Sequence, residues 1–429
     1  MFGFSTGRRL VTLSIAVGLV ASVSACGGSD AEKTPIKIGG LATLEGPFAV
    51  PGQDGMRGIE QALNKFAPKN AAGNWEIAGR EIILVKESSD GAPAVALEKA
   101  KKLIEQDDVD ILIGPLSGDE GLAIKDYAKT VPDKTFVNGS SAAQDTTFRD
   151  PAPNFYRFST DGAQWMAGVG NYAYNDKGYK TAAVVAEDYS FPYTQVGGFM
   201  YEFCAAGGKV PFKAWVPLGT KDYASVVTSI PTDVDAIYIA LGGSDAVNFF
   251  TQYAAAGGKA KFIGGSITVD QSVLSVEGDF KDQLVGTIAG GPTADTTDEP
   301  AWNEYVKEYK ATFPDGLPFP GLFALSYYNE TVGVLQALKE VKGDLSGDQK
   351  AFMEALSKVE FDGPTGHIAL DGNRQAIAPN YVTEVQKDAS GNLVNNVIAK
   401  AVDIDQTLGL GADSPYLAQP VSRDFPDCK

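Results

Sequence analysis

Short apolar runs recur along this chain, each closed by a turn rich in glycine or proline and followed by a stretch with helical periodicity. Residues 36–44 (IKIGGLATL) read as a first strand, which Gly46-Pro47 turns into a helix over 53–66. The unit repeats as strand 81–85 and helix 94–105, strand 110–113 and helix 122–129, then strand 135–138 ending in GSSAAQDTT. It restarts after 154–159 with helix 161–174, strand 181–186, helix 193–206, strand 209–216, helix 223–229, strand 236–240 and helix 245–256. Beyond LVGTI at 284–288, helices are expected at 299–312, 324–341 and 349–358, and GPTGHIALDG with NYVTEV reads as a hairpin or paired strands. Apolar strands alternating with helices build a mostly parallel sheet covered on both faces, so the fold class is α/β.

Residues 109–121 (VDILIGPLSGDEG) show how such a unit makes a site: a buried strand, a Gly-Pro turn and a helix start. The turn then lies at the carboxyl end of a strand, beside free backbone N–H groups and the positive end of a helix dipole, where open α/β sheets hold small ligands. Two later helices end alike, in AAGGK at 205–209 and 255–259, where glycine supplies a left-handed cap.

Length and charge narrow the function. A chain of 429 residues suggests two domains. Its net charge of -18 would repel a phosphate-coated partner, so nucleic acid is not an expected ligand. The start of the chain has a charged region at Arg8 and Arg9, an apolar run over 10–21 too short to span a bilayer, and then Val-Ser-Ala-Cys26. That ending resembles the bacterial lipobox, which implies a signal peptide over 1–25, a lipid on Cys26 that anchors the protein to the membrane, and a tether over 26–34. Export leaves Cys204 and Cys428 as a pair in an oxidising compartment, and a disulfide between them is expected.

An enzyme needs a nucleophile and a base, and neither G-x-S-x-G, H-E-x-x-H nor G-x-x-x-x-G-K occurs. His367 is the only histidine and builds no metal cluster, and no cofactor is implied. Gly168-Val-Gly170-Asn-Tyr-Ala173 has the outline of a dinucleotide fingerprint but falls inside an expected helix, where it reads as helix packing. Ser117, Ser140 and Ser141 would serve as cap and turn residues in any protein, yet they sit at two neighbouring strand ends where ligands bind. Phe191 fits a core and a cleft wall equally.

Seven stretches, taken in order, resemble the type I periplasmic solute-binding proteins, specifically the leucine/isoleucine/valine-binding group that serves ABC importers. They are IKIGGLATLEGPFAVPGQDGMRG, VDILIGPLSG, VNGSSAAQDTT, DYSFPYTQVGGF, VDAIYIALGGSDA, FIGGS and FDGPTGHIALDG, and the resemblance runs from about residue 36 to about 385. It implies two Rossmann-like lobes joined by three crossover strands, near Ser159, Gly290 and Asp362, that close on a ligand by hinge motion. The first lobe would hold 35–158 plus 290–361, the second 159–289 plus 362–429. Partners would be a small carboxylate-bearing solute held between the lobes, expected to be a branched-chain or related amino acid with an aromatic acid or an amide as the alternative, and the subunits of an ABC permease, outside the cytoplasm. A sensor read by a membrane receptor would use the same lobes.

The family's binding positions map residue by residue. Phe48 and Pro51 are wall candidates from the first loop. Where members commonly carry a serine after Ser117, this chain has Gly118, so the hydroxyl comes from Ser117 or is replaced by backbone N–H. Ser140, Ser141 and Ala142 would hold the same end of the ligand. Phe191-Pro192 stands where members often have tyrosine before glycine. Ser266 occupies the place of the acid that pairs with an amino acid's ammonium. Asp270, Asp245 and Asp119 are the acids placed to substitute; without one, the ligand is a carboxylate, an amide or an aromatic acid, because a buried ammonium without a partner is costly.

Overall fold

The computed structural model describes residues 34–429. The expected signal peptide, Cys26 and all but the last residue of the tether lie outside the described residues.

Strands β1 (Ile36–Thr43), β2 (Glu76–Ile77), β3 (Arg80–Ser89), β4 (Ile111–Ile113), β5 (Thr135–Val137) and β6 (Phe155–Tyr156) form a six-stranded sheet in the order β2-β3-β1-β4-β5-β6. All its pairs are parallel except β2 with β3. The strands read as apolar throughout because both faces are covered. Ile111, Ile113 and Val137 pack with Met56, Ile59 and Leu63 of helix α1 (Ala49–Phe66). Leu112 and Phe136 face the other way, onto Ala96 and Ala100 of α2 (Pro93–Lys101) and Ile124 of α3 (Gly118–Ala128).

The second sheet begins with β7 (Thr181–Glu187), β8 (Lys209–Val216), β9 (Ala236–Ala240), β10 (Lys261–Gly264) and β11 (Ile288–Gly291), and ends with β12 (Phe361–Gly363), β13 (Gly366–Leu370), β14 (Ala376–Lys387) and β15 (Leu393–Ile404). Its order is β12-β13-β14-β11-β10-β9-β7-β8, with β15 on β14. The β8-β7-β9-β10-β11 part is parallel, and β14 closes it antiparallel to β11. Its helices include α4 (Val169–Asn175), α5 (Ser190–Ala205), α6 (Ala224–Ser229), α7 (Gly243–Ala255), α8 (Gln271–Leu274) and α9 (Lys281–Leu284). Then α10 (Pro300–Thr312), α11 (Leu322–Glu340) and α12 (Lys350–Leu356) return to the first sheet, where Trp302, Leu335 and Phe352 join the core of Ile59 and Ile113. The chain thus passes between the sheets three times: after β6, after β11 and before β12.

Two expectations need correction. The helix over 161–174 is two pieces, a single turn at Gln164–Met166 and then α4, because Gly168 takes a left-handed φ of 88° that no continuous helix accepts. Gly170 does pack a helix: a Cβ there would stand 2.6 Å from backbone atoms of Phe199 and Phe203 in α5. The strand β15 has no counterpart in the sequence reading, since most of its residues past Asn395 are only partly buried or exposed and leave no apolar run.

Both AAGG endings form left-handed caps. Gly207 (φ 104°) and Gly257 (φ 76°) close α5 and α7, and the next N–H groups, of Gly208 and Gly258, reach the carbonyls of Phe203 and Tyr253 at 2.8 and 3.0 Å. Cys204 at the end of α5 is joined to Cys428 by a disulfide with the Cα atoms 5.9 Å apart. Among the described residues, no helix is long and apolar enough to cross a membrane.

Candidate functional site

The loops at the carboxyl ends of β4 and β5 face those after β7 and β10, and a small cavity, with room for about one water in this closed arrangement, lies between them. It is lined by Phe48, Leu116, Ser117, Gly118 and Ser140 with Phe323 at the start of α11, and from the second sheet's side by Trp165, Tyr189, Phe191 and Ile267. Half of this wall is aromatic, and no lining residue is charged. Trp165 meets Phe191 edge to face at 5.6 Å, and Tyr189 leans on Phe191 at 6.2 Å.

Local chemistry explains how the first jaw is held. Ser117 caps α3 in a capping box: its side chain accepts from the Glu120 N–H while the Glu120 carboxylate accepts from the Ser117 N–H at 3.0 Å. The same carboxylate also accepts from Gly91 N–H at 3.1 Å and from the Thr43 hydroxyl at 3.3 Å, so one buried acid ties three loop ends together. Burial pushes the Glu120 carboxyl up, and these hydrogen bonds oppose the shift.

The second jaw meets the first directly. Asp119 accepts from the N–H of Ser190, the first residue of α5, at 3.0 Å. A Cβ on Gly118 would lie 2.7 Å from the Ser190 hydroxyl oxygen and 2.8 Å from both N and Cβ of Phe191. On the far rim, Asp270 caps α8 through Ser272 N–H at 2.9 Å and also accepts from Leu322 N–H at 2.9 Å at the start of α11. The two sides are closed on each other.

The structure brings Phe48, Ser117, Gly118, Ser140 and Phe191 onto one cavity wall and leaves the other candidates outside it. Pro51 is buried in the first turn of α1. Ser141 turns its hydroxyl oxygen toward Gly121 of α3, and its carbonyl accepts from Asn138 and from the Arg157 guanidinium. Ala142 packs in the same apolar cluster as Phe48 and Phe191. Ser266 accepts from the Gln195 side-chain amide at 2.8 Å, and Asp270 is occupied as described. Asp245 accepts from Gly219 N–H at 2.6 Å and lies off the cavity.

Sequence reasoning missed Leu116, Trp165, Tyr189, Ile267 and Phe323. Tyr189 was within reach, two residues before Phe191 in DYSFP; Trp165 was hidden by its assignment to a continuous helix. Phe323 arrives from a segment 275 residues after Phe48, and only the fold reveals that meeting.

Comparison with known proteins agrees with this architecture. A model of the periplasmic binding protein family matches residues 35–391. The curated Leu/Ile/Val-binding protein homolog 6 of Brucella melitensis is 24% identical over 372 residues, 85% of this chain and 90% of the relative. An ABC transporter substrate-binding protein from Sphaerobacter thermophilus superposes with a TM-score of 0.75 at 28% identity, over 87% of this chain and 99% of that one. A solute-binding protein of an ABC transporter from R. palustris, solved in complex with benzoate, gives 0.76 at 24% identity over 86% and 98% of the two chains. With two parallel-dominated sheets crossed three times and a family match over most of its length, the chain belongs to the periplasmic binding proteins, in the type I leucine/isoleucine/valine-binding group, whose members hold a solute and do not transform it.

Proposed function

We propose that this protein is the extracytoplasmic receptor of an ABC importer and captures a small carboxylate with a flat or branched apolar body in the cavity between two lobes. The lobes are residues 35–158 plus 290–361 and residues 159–289 plus 362–429, with a lipid on Cys26 as the membrane tether. One observation carries the ligand class: among the described residues the cavity wall is half aromatic and bears no acid, so an α-amino acid's ammonium would be buried without a carboxylate. An aromatic acid fits such a wall better than leucine does. The R. palustris protein solved with benzoate supports this reading, and the Brucella relative's name favours a branched-chain amino acid. Stacking would hold the ring. The first turn of α3 would face the carboxylate with backbone N–H groups and the helix dipole, beside the Ser140 hydroxyl.

A thermal-shift panel of benzoate, 4-hydroxybenzoate, phenylacetate, leucine, isoleucine and valine tests the assignment. A ligand at about 100 times its dissociation constant should stabilise the protein by about 2.7 kcal/mol. The expected order places the aromatic acids above the amino acids; a shift with leucine alone overturns the aromatic reading.

A further inference from the structure

Four lining residues carry a polar side-chain group: Ser117, Ser140, Trp165 and Tyr189. Three of those groups are engaged by the protein itself. The Ser117 hydroxyl donates to the Gly91 carbonyl at 3.3 Å and completes the capping box. The Ser140 hydroxyl reaches the Leu116 carbonyl at 3.5 Å. The Tyr189 phenol is paired with the Glu187 carboxyl at the end of β7. Trp165 differs: it is 1% exposed, and its indole Nε1–H has no hydrogen-bond partner. A buried donor left unmade costs free energy that an arriving acceptor recovers.

We propose that Trp165 orients the solute, its indole N–H donating to a carboxylate oxygen while its ring and the edge-to-face Phe191 clasp the apolar body. This rests on the carboxylate reading above and adds a donor that no motif of the sequence reveals. An indole N–H donates and never accepts, so the residue favours an ionised carboxylate, whose oxygens only accept, over an ammonium, which only donates. The bond forms only when the lobes bring Trp165 from one side and the α3 turn from the other onto the same solute, which couples orientation to closure.

The experiment measures affinity for benzoate, 4-hydroxybenzoate and leucine by calorimetry, for the wild-type protein and for Trp165→Phe, which keeps an aromatic ring and removes the N–H. The expected result is binding of at least one acid by the wild type and a loss of about tenfold in Trp165→Phe, the worth of one charge-assisted hydrogen bond, with the ligand-free melting temperature unchanged. A readout that packing alone would not move comes from the wild-type chain, which holds four tryptophans, Trp75, Trp165, Trp215 and Trp302. In 15N-indole spectra, binding should move one of those N–H signals downfield, and that signal should be the one missing from Trp165→Phe. If that variant does not fold, Trp165→Tyr makes the assignment. Binding by the wild type with the variant within twofold, or with no indole signal moving downfield, overturns the Trp165 assignment alone. Failure of the wild type to bind any of the three probes overturns the carboxylate reading together with it.

Discussion

Gly118 shows how one missing side chain shapes this clamp. Where relatives are expected to place a hydroxyl, the protein has none, and the space is filled by the partner jaw: backbone and side-chain atoms of Phe191 and the Ser190 hydroxyl stand within 2.8 Å of where a Cβ would be. Contacts that short do not exist between real carbon atoms, so any larger residue must hold the lobes apart or shift α5. The prediction for Gly118→Ala is therefore a cost to closure and not to folding. Overpacking of this kind costs about 1–3 kcal/mol, which should appear as a loss of about tenfold in affinity for whichever acid stabilises the wild type. The ligand-free melting temperature should stay near its wild-type value, because the clash arises only between the lobes. Calorimetry with that acid checks it, and equal affinities would mean that the lobes meet differently when filled. Ser266 makes the complementary point. At the position of an expected acid it brings no carboxylate: its hydroxyl accepts from the Gln195 side-chain amide and lies off the cavity wall.

At the scale of elements, the carboxyl-terminal tail has a structural task. β8 is the last strand of its sheet, and an open edge invites pairing with other chains. The tail covers it: Val210 N–H donates to the Cys428 carbonyl at 2.9 Å, and Lys213 Nζ donates to the Pro426 carbonyl at 2.8 Å. The disulfide fixes this cover to α5 across a sequence separation of 224 residues. Replacing both cysteines by serine should cost about 2–4 kcal/mol in denaturant unfolding and raise the tendency to aggregate through the freed edge. Equal stability of the wild type with and without reductant would refute it. The cysteine count made this pair legible in the sequence, and the period of apolar runs made the central strands legible. What it could not give were elements without that signal. Two-residue β6 is too short to show a period, β15 is half solvated, and the break at Gly168 rests on a backbone angle that only glycine permits.

The whole molecule is held at its crossings by polar groups that no residue pattern announces. Arg157 is fully buried after β6, donating to the Ala143 carbonyl at 2.8 Å, the Thr147 hydroxyl at 2.7 Å and the Gln375 side chain, with Asp161 at 3.7 Å. These partners come from segments up to 218 residues away, so the network is a product of the fold and invisible before it. Family motifs give the number of crossings, and only the folded chain brings together the bonds that set them.

The same burial of charge makes stability depend on pH. Asp54 of α1, fully buried, accepts from Gly321 N–H at 2.9 Å beside the Asp270 bond to Leu322, so two carboxylates from opposite sides share the start of α11. Burial first, and then the Asp270 charge, raise Asp54 from 3.8 to about 7; the Tyr309 hydroxyl, the Gly321 N–H and the Arg57 charge pull it back only in part. Burial likewise raises Asp245 and Asp295 to about 6, and pushes Glu187 and Glu330 up as well. A carboxyl raised in this way binds its proton more tightly in the folded than in the unfolded chain. Between the unfolded value of 3.8 and the folded value of about 7 the native state therefore carries more protons, and stability falls as pH rises through that window. Unfolding in urea should show a higher midpoint at about pH 5 than at about pH 8. Asp54→Asn keeps a carbonyl oxygen for Gly321 and removes the titration, so its midpoints at the two pH values should lie closer together than those of the wild type. An equal separation in both proteins would show that Asp54 carries the same charge folded and unfolded.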